Sequence, residues 1–211
     1  LDTLKQIGID CINFSIDTLD ENEYVSICKK NTLETVLSNL NYAYNIGIPV
    51  KVNCVVDNTF SKSRFDSMLE IIEKKKIPLR FIELMPLKYS EKNNKMDTLI
   101  QYVSKQYDLK EYSEKLGNGP AHYYTISGYA GYIGFIEALH YKFCSTCNRV
   151  RLSSVGQLKL CLFHTDGVNL KPYLNDLKEL EKVMRHWIYK KPKEHHFEKN
   201  HSSTIMNEIG G

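Results

Sequence analysis

The stretch PVKVNCVV, residues 49–56, decides the fold, because its β-branched residues predict a strand. On its N-terminal side, residues 32–46 repeat apolar side chains at helical spacing between a capping Thr32 and a terminating glycine, which predicts a helix. On its C-terminal side, residues 61–76 repeat the helical pattern after Ser61, a second capping residue. The centre of this region is therefore a strand with a helix on either side.

Two further strands extend this pattern outward. CINFSI (residues 11–16) is a short apolar run, and PLRFIELMP (residues 78–86) is a strand pattern bounded by prolines. A short helix is expected within residues 18–30. The alternation of strands and helices predicts an α/β fold with parallel βαβ units. We expect the sheet to have further members upstream of Leu1, because the chain begins within a pattern rather than at a methionine.

The character of the sequence changes after Pro86. Residues 87–97 are polar and predict a linker, so we expect one domain at 1–86 and a second at 97–211. The second part has further element predictions, in chain order a helix at 97–107, antiparallel strands within the glycine-rich residues 123–136, a hairpin turn at Val155-Gly156 and a charged helix at 173–190.

Composition limits the classes of function. The chain has 211 residues, of which 42% are hydrophobic and 25% charged, and this is typical of a globular protein with a real core. A net charge of +3 is too small to argue for a nucleic-acid surface, and no apolar run approaches the roughly 18 residues of a membrane helix. The scattered cysteines favour a reducing compartment. We expect a cytoplasmic protein, or a mitochondrial one if the source is eukaryotic.

Three of the six cysteines are clustered in FCSTCNRVRLSSVGQLKLCLF, residues 143–163. Cys144 and Cys147 have CxxC spacing, and Cys161 returns from a neighbouring strand. One interpretation is an iron–sulfur cluster that is held by three thiolates and keeps one iron open. The other is a closed zinc site of Cys144, Cys147, Cys161 and His164, which the spacing alone favours over the cluster, and a third is that the cysteines bind no metal. The remaining cysteines lie in apolar or helical patterns and are expected to be ordinary thiols.

Two arginines follow the CxxC motif. Arg149 and Arg151 alternate with Val150, so that on an extended strand both would lie on one face. Guanidinium groups bind phosphate and carboxylate bidentately, which indicates an anionic ligand next to the metal centre. Solvated or salt-bridged strand arginines are the alternative.

The string CSTCNRVRLSSVGQLKLCLF resembles the C-terminal cluster segment of the MoaA family, the radical S-adenosylmethionine GTP 3′,8-cyclases of molybdenum cofactor biosynthesis. Other segments agree in order along the whole chain, namely INFSIDTLD, KVNCVV, RFIELMP, GNGPAHYY, GYIGFI and the terminal IGG. The resemblance favours the cluster over zinc. It implies the C-terminal part of an incomplete (βα) barrel of the TIM type, followed by a small α+β extension that binds the cluster.

The resemblance also implies roles for individual residues. A [4Fe–4S] cluster would be bound by Cys144, Cys147 and Cys161, with its open iron coordinating the guanine of GTP. GTP would be contacted by Lys51, Arg149, Val150 and Arg151. S-adenosylmethionine would be contacted by Ser15 and Met85. Without the resemblance, Lys51, Ser15 and Met85 read as a solvated lysine, an ordinary strand serine and a core methionine.

The reaction implied by the resemblance is a lyase reaction that begins with a 5′-deoxyadenosyl radical made from S-adenosylmethionine. This radical abstracts the 3′ hydrogen of GTP, and the sugar then attacks C8 of guanine to give 3′,8-cyclo-7,8-dihydro-GTP. The CxxxCxxC motif that binds the family's second [4Fe–4S] cluster does not occur in these residues, so we expect this chain alone to be inactive. No residue is assigned to catalysis.

The expected partners are GTP and S-adenosylmethionine, with no nucleic acid, no membrane and a homodimer as an open option. Gly210-Gly211 resembles the family's terminal Gly-Gly, which is thought to enter the active site, and a disordered end is the alternative. His195, His196 and His201 are expected to be solvated tail residues. The competing class of function is a non-catalytic binding module that is stabilised by zinc.

Overall fold

A computed structural model of the protein describes residues 1–86, 95–139 and 143–196. The chain forms two compact units, and each is described separately below. The first, here called the sheet unit, comprises Leu1–Glu83 and Asn93–Glu137. The second, called the cysteine unit, comprises Leu84–Lys92 and Ala138–Gly211.

The sheet unit contains these elements in chain order: α1 (Asp2–Gln6), β1 (Ile12–Ser15), α2 (Glu21–Cys28), α3 (Leu33–Asn45), β2 (Val50–Val56), α4 (Lys62–Met68), α5 (Glu70–Glu73), β3 (Pro78–Glu83), α6 (Lys95–Gln106), β4 (Leu109–Tyr112), β5 (His122–Ile126) and β6 (Tyr132–Ile136). Six strands form one sheet in the order β1-β2-β3-β6-β5-β4. Strands β1, β2, β3 and β6 are parallel, whereas β5 and β4 are added antiparallel. The predicted α/β class is confirmed as a mixed fold with a mostly parallel sheet.

The helices begin where short polar side chains cap them. Asp20 accepts a hydrogen bond from the Glu23 amide at 2.8 Å, and Ser61 accepts one from the Arg64 amide at 3.1 Å. Thr32 occupies the corresponding position before α3 but makes no capping bond through its side chain. The helix expected at 61–76 is divided into α4 and α5.

The apolar residues of β2 recur at every second position because one face of this strand is buried in the core. Val50, Val52, Cys54 and Val56 are all buried, while the residues between them are partly exposed. Phe81 of β3 extends this core, since the centre of its ring lies 4.8 Å from the ring centre of Phe65 and 6.0 Å from that of Phe135. The buried face therefore packs against the crossover helices, which leaves the opposite face of the parallel strands for other roles.

The position of β6 was not predicted. The glycine-rich segment forms the expected antiparallel pair β5–β6, but β6 also lies parallel to β3, with Phe81 opposite Phe135. These strands therefore continue the first sheet, and the two units divide the chain differently from the predicted domains 1–86 and 97–211. Two short elements, α1 and the polar edge strand β4, lack the apolar periodicity that would have revealed them.

The cysteine unit has a small sheet and one long helix. Its elements are a 3-10 turn at Cys144–Thr146, β7 (Arg151–Leu152), β8 (Gln157–Lys159), β9 (Gly167–Asn169), a 3-10 turn at Lys171–Tyr173 and α7 (Leu177–Tyr189). The three strands are antiparallel in the order β7-β8-β9. The predicted hairpin turn is confirmed, and Gly156 has the positive φ of 81° that favours glycine there.

A small core joins this sheet to α7. Leu158, Leu160 and Leu170 are buried, and four side chains of α7 pack against them: Leu180, Val183, Met184 and Trp187. The helix predicted at 173–190 begins only at Leu177, because Asp176 caps it by accepting hydrogen bonds from the amides of its first turn. No helix among the described residues of either unit is both long and apolar enough to cross a bilayer.

Candidate functional site

Polar side chains occupy the face of the sheet unit opposite its core. Asn13 pairs with Lys51, Ser15 with Asn53, and Asn53 in turn with Arg80, so these five residues share one face of β1, β2 and β3. Ser15, at the end of β1, is exposed, and Lys51 is half-buried. The structure thus brings two of the sequence-predicted binding residues, Ser15 and Lys51, to the same face.

A loop before β5 holds the Lys51 ammonium. Lys51 Nζ donates to the carbonyl of Leu116 at 2.5 Å. The next residue, Gly117, has a φ of 91°, and a side chain at this position would collide with Lys51 Nζ. Gly117 is therefore needed both for its backbone conformation and for the space that the ammonium occupies. It belongs to GNGPAHYY, a segment for which the sequence suggested no role.

Arg80 is a candidate that sequence analysis missed. It is buried at 8% exposure, and its Nη2 donates to Asn13 Oδ1 at 2.7 Å. Among the described residues, Arg80 Nε and Asn53 Oδ1 are buried without a hydrogen-bond partner. Burying a charged group whose N–H donor has no partner is costly. A polar ligand on this face would satisfy the Arg80 Nε donor and the Asn53 Oδ1 acceptor. The alternation in LRFIE placed Arg80 opposite the core residues, and this was the available signal.

The pKa of Tyr123, a buried tyrosine next to Arg80, is affected by that guanidinium. Burial raises the pKa of Tyr123, while the nearby Arg80 guanidinium opposes this by lowering it. Tyr123 also lies opposite Gly134 of β6, where an added side chain would meet its ring. Gly134 thus allows the tyrosine ring to lie flat on the sheet beside Arg80.

In the cysteine unit, the CxxC motif forms a tight turn. Cys144 begins a 3-10 turn, and the Cys147 amide donates to the Cys144 carbonyl at 3.2 Å. Cys161 follows β8 after one buried leucine. All three cysteines are half-buried thiols, whereas Cys54 is buried in the sheet core and Cys28 is exposed. The three predicted ligands are therefore partly accessible and form no disulfide.

The Arg151 guanidinium lies among the same groups. Its pKa is lowered, first by burial and second by the neighbouring positive charge of Arg149, while Cys147 and Cys161 act in the opposite direction. Arg151 is thus close enough to both thiols and to Arg149 to interact electrostatically with all of them. Only Arg151 lies in β7; Arg149 precedes the strand and is exposed, as is Val150 at 39%.

Lys191 is a second missed cation. Its Nζ lies 3.3 Å from Cys147 Sγ and donates to the Arg149 carbonyl at 2.6 Å. Lys191 follows α7 in the sequence and is 44 residues from Cys147. No local pattern connects the two, because the contact depends on how α7 packs on the small sheet.

The histidines of this unit are held by backbone groups. His164 Nε2 lies 3.0 Å from the Glu194 carbonyl, and His195 Nε2 lies 2.7 Å from the Ala138 carbonyl. His195 is only 7% exposed, so the expectation that it is a solvated tail residue is wrong. The residues that the structure describes include no group of three or more histidine, cysteine, aspartate or glutamate side chains arranged to hold a metal ion. The three-cysteine ligand set therefore stays a prediction.

Met85 packs with apolar residues of the cysteine unit, namely Leu139, Leu162 and Phe163. Its predicted contact with S-adenosylmethionine is not tested by this packing. Gly210-Gly211, His201 and most of the predicted linker at 87–97 lie outside the described residues.

Comparisons with known proteins agree with one another. A family model described as Molybdenum Cofactor Synthesis C matches residues 77–197. The chain is 34% identical to a GTP 3′,8-cyclase of Clostridium perfringens strain SM101, over 99% of this chain and 67% of that protein. It is 33% identical to the GTP 3′,8-cyclases of Clostridium botulinum strain Hall and of Syntrophomonas wolfei, covering 68% of each. The chain thus spans about two thirds of the length of these relatives.

Proposed function

The chain belongs to the MoaA family of GTP 3′,8-cyclases, and we propose that its residues bind GTP and S-adenosylmethionine in the first step of molybdenum cofactor biosynthesis. The reaction is the conversion of GTP to 3′,8-cyclo-7,8-dihydro-GTP, a lyase reaction in which S-adenosylmethionine is the source of the radical. The observation that carries the proposal is the position of Arg151, which interacts with Arg149, Cys147 and Cys161 at once.

In the cysteine unit, Cys144, Cys147 and Cys161 would bind a [4Fe–4S] cluster. The donor set suits this group, because thiolates are the usual ligands of such clusters and these three thiols are half-buried on one turn and one strand end. The positive charges of Arg151 and Lys191 lie near these sulfurs and would complement the negative charge of a thiolate-ligated cluster. When bound through three thiolates, the cluster would supply an open iron as a Lewis-acidic contact for guanine.

The cations of the same unit would bind the phosphates of GTP. Arg149 and Arg151 each offer a planar fork of N–H donors, which matches phosphate oxygens, and Val150 would contribute its backbone to the same segment. The partial burial of Arg151 strengthens such contacts, since a charge that is shielded from water interacts more strongly with an anion.

In the sheet unit, the proposed contacts lie on the polar face of the parallel strands. Lys51 would contact GTP as a compact cation. The Arg80 guanidinium, whose Nε has no hydrogen-bond partner, would add a further donor on that face. Ser15 is proposed to contact S-adenosylmethionine, as is Met85 of the cysteine unit. Parallel α/β barrels bind ligands at the carboxyl ends of their strands, and the position of Ser15 at the end of β1 supports its assignment.

GTP binding provides the test. The wild-type chain, Arg151→Ala and Arg185→Ala are reconstituted anaerobically with iron and sulfide, and GTP affinity is measured by equilibrium dialysis. Arg151→Ala is expected to weaken binding by about 10- to 100-fold, which is the typical contribution of a hydrogen-bonded charge. Arg185 is a matched control, because it lies on the exposed face of α7 in an ion pair with Glu181. Equal affinities of Arg151→Ala and wild type would contradict the proposal.

Metal content separates this function from the zinc-stabilised module. We expect iron and sulfide to be bound, and His164→Ala to bind as much iron as wild type, because the Nε2 atom of His164 already has the Glu194 carbonyl as a partner. Tight binding of one zinc per chain, lost in His164→Ala and with no uptake of iron, would support the module instead.

A further inference from the structure

The chain that follows α7 returns to the cysteine turn. Lys191 is the second residue after the helix ends at Tyr189, and its ammonium contacts both the Cys147 sulfur and the Arg149 carbonyl. A single cation therefore contacts a predicted cluster ligand and the backbone of a predicted GTP-binding residue. Neither contact belongs to the roles described above for Cys147 and Arg149.

Further hydrogen bonds fix the segment that carries Lys191. The Glu194 carbonyl is 3.0 Å from Nε2 of His164, which lies just beyond Cys161 in the sequence. His195, buried, is 2.7 Å from the carbonyl of Ala138, ahead of the cysteine turn. Residues 191–195, here called the strap, are thus bound to the chain on both sides of the cysteine segment. A lysine on such an anchored strap has a defined position relative to Cys147.

We propose that Lys191 is a positioning residue for the cluster, which it holds through a hydrogen bond from Nζ to the Cys147 sulfur while fixing the backbone of Arg149. This rests on the proposed function, since it requires a cluster on Cys147. Hydrogen bonds to ligating sulfurs and nearby positive charge stabilise the more negative, reduced form of a cluster. Outer partners also hold ligands in place and slow the loss of metal. Lys191 therefore raises the reduction potential of the cluster and slows the release of its iron.

The neighbouring lysine provides a matched control. Lys190 is exposed, and its Nζ lies 5.6 Å from the centre of the Trp187 ring on α7 rather than at the cysteine turn. Lys190→Met removes the same charge one residue away without removing a contact to Cys147. Lys191→Arg keeps the charge and N–H donors, whereas Lys191→Met keeps an unbranched apolar side chain and removes the ammonium group.

The test uses the full chain, reconstituted anaerobically with iron and sulfide. Two properties are measured, the rate of iron release to an excess of chelator and the reduction potential of the cluster by spectroscopic redox titration. Lys191→Met is expected to release iron about 10-fold faster than wild type and to have a more negative potential. Lys191→Arg should retain a potential close to that of wild type, and Lys190→Met should match wild type in both measurements.

The possible failures are distinct. If Lys191→Met matches wild type in both iron release and potential, or if Lys190→Met changes both to the same extent, the inference about Lys191 is overturned and the cluster assignment is unaffected. If the wild-type chain takes up no iron and sulfide, the proposed function itself fails, and the inference fails with it.

Discussion

The sheet unit and the cysteine unit differ in what stabilises them. The sheet unit buries a whole face of β2 together with the ring of Phe81, and helices cover this core. In the cysteine unit, the described apolar clusters are smaller, with Leu158, Leu160 and Leu170 under one face of α7 and Leu162 packed with Met85, Leu139 and Phe163. Small cores leave little net stability after the entropy cost of folding, and small units of this kind commonly need a metal to be stable. The proposed cluster would therefore stabilise only one of the two units.

Core truncations give the largest test of this difference. Phe81→Ala should lower the free energy of unfolding of the sheet unit by about 3–5 kcal/mol, and Leu160→Ala should lower that of the cysteine unit by about 2–5 kcal/mol. Because a ligand stabilises only the unit that binds it, cluster loading should offset the loss in Leu160→Ala and not the loss in Phe81→Ala. Urea unfolding with and without reconstitution, followed by hydrogen exchange of peptides from each unit, measures this.

Leu152→Ala serves as the control in the cysteine unit, because Leu152 is 59% exposed and its truncation leaves no cavity. Equal protection of the amides of both units by reconstitution would show that the cluster stabilises the whole molecule and not the cysteine unit alone.

A pair of glycine substitutions tests the contribution of the sheet unit to GTP binding. Gly117→Ala would place a methyl group against Lys51 Nζ, whereas Gly128, with a similar φ of 88°, has open space where its side chain would lie. Both substitutions impose the same backbone strain, so they should destabilise the unit similarly. Only Gly117→Ala should weaken GTP binding, by about 5- to 10-fold, or roughly 1 kcal/mol. Dialysis with labelled GTP after anaerobic reconstitution measures the affinities.

Equal GTP affinity of the two glycine variants would mean that the contact between Lys51 and Leu116 has no role in binding. Lys51→Met, measured in parallel, shows whether Lys51 itself contributes to affinity.

The smallest expected effect concerns Asp17, which follows β1. Burial, the larger cause, and the neighbouring Asp57 raise the pKa of its carboxyl above 3.8, although the hydrogen bond from the Val55 amide opposes this. Because the protonated form is favoured in the folded state, this carboxyl destabilises the fold as the pH rises above 3.8 through the raised pKa. Asp17→Asn keeps an acceptor for Val55, so it should stabilise the sheet unit at pH 7 by less than about 1 kcal/mol.

The gain from Asp17→Asn should disappear as the pH falls below 3.8, where Asp17 is neutral in both states. Urea midpoints between pH 3 and 7 follow this dependence. A gain that does not change with pH would show that ionisation of Asp17 is not its cause.

The sequence predicted those helices, strands and turns that are determined by residues close together in the chain. The β-branched run of β2, the capping Ser61 and the turn at Gly156 each follow from near neighbours in the sequence, and all three are present. The CxxC turn was likewise evident from its spacing. The addition of β6 next to β3 was not, because parallel pairing between distant strands leaves no local mark.

The candidate site was predictable to the extent that residue type alone indicates chemistry. Cysteines and adjacent arginines indicated the cysteine turn, and the structure adds the interaction of Arg151 with Cys147. Arg80 and Lys191 were missed, because their contacts cross the sheet or return from the far end of a helix. The burial of His195 was missed for the same reason, since the Ala138 carbonyl that its Nε2 contacts is 57 residues away in the sequence.

The insertion of β6 between β3 and β5 has a consequence for synthesis on the ribosome. When residues up to Glu83 have emerged, β3 presents an unpaired edge, and its partner Tyr132–Ile136 is translated about fifty residues later. An open strand edge can pair with other nascent chains, so this interval is a period of aggregation risk. Polypeptides released before Tyr132 is translated would keep the unpaired β3 edge. They would remain prone to aggregation and would be expected to bind chaperones.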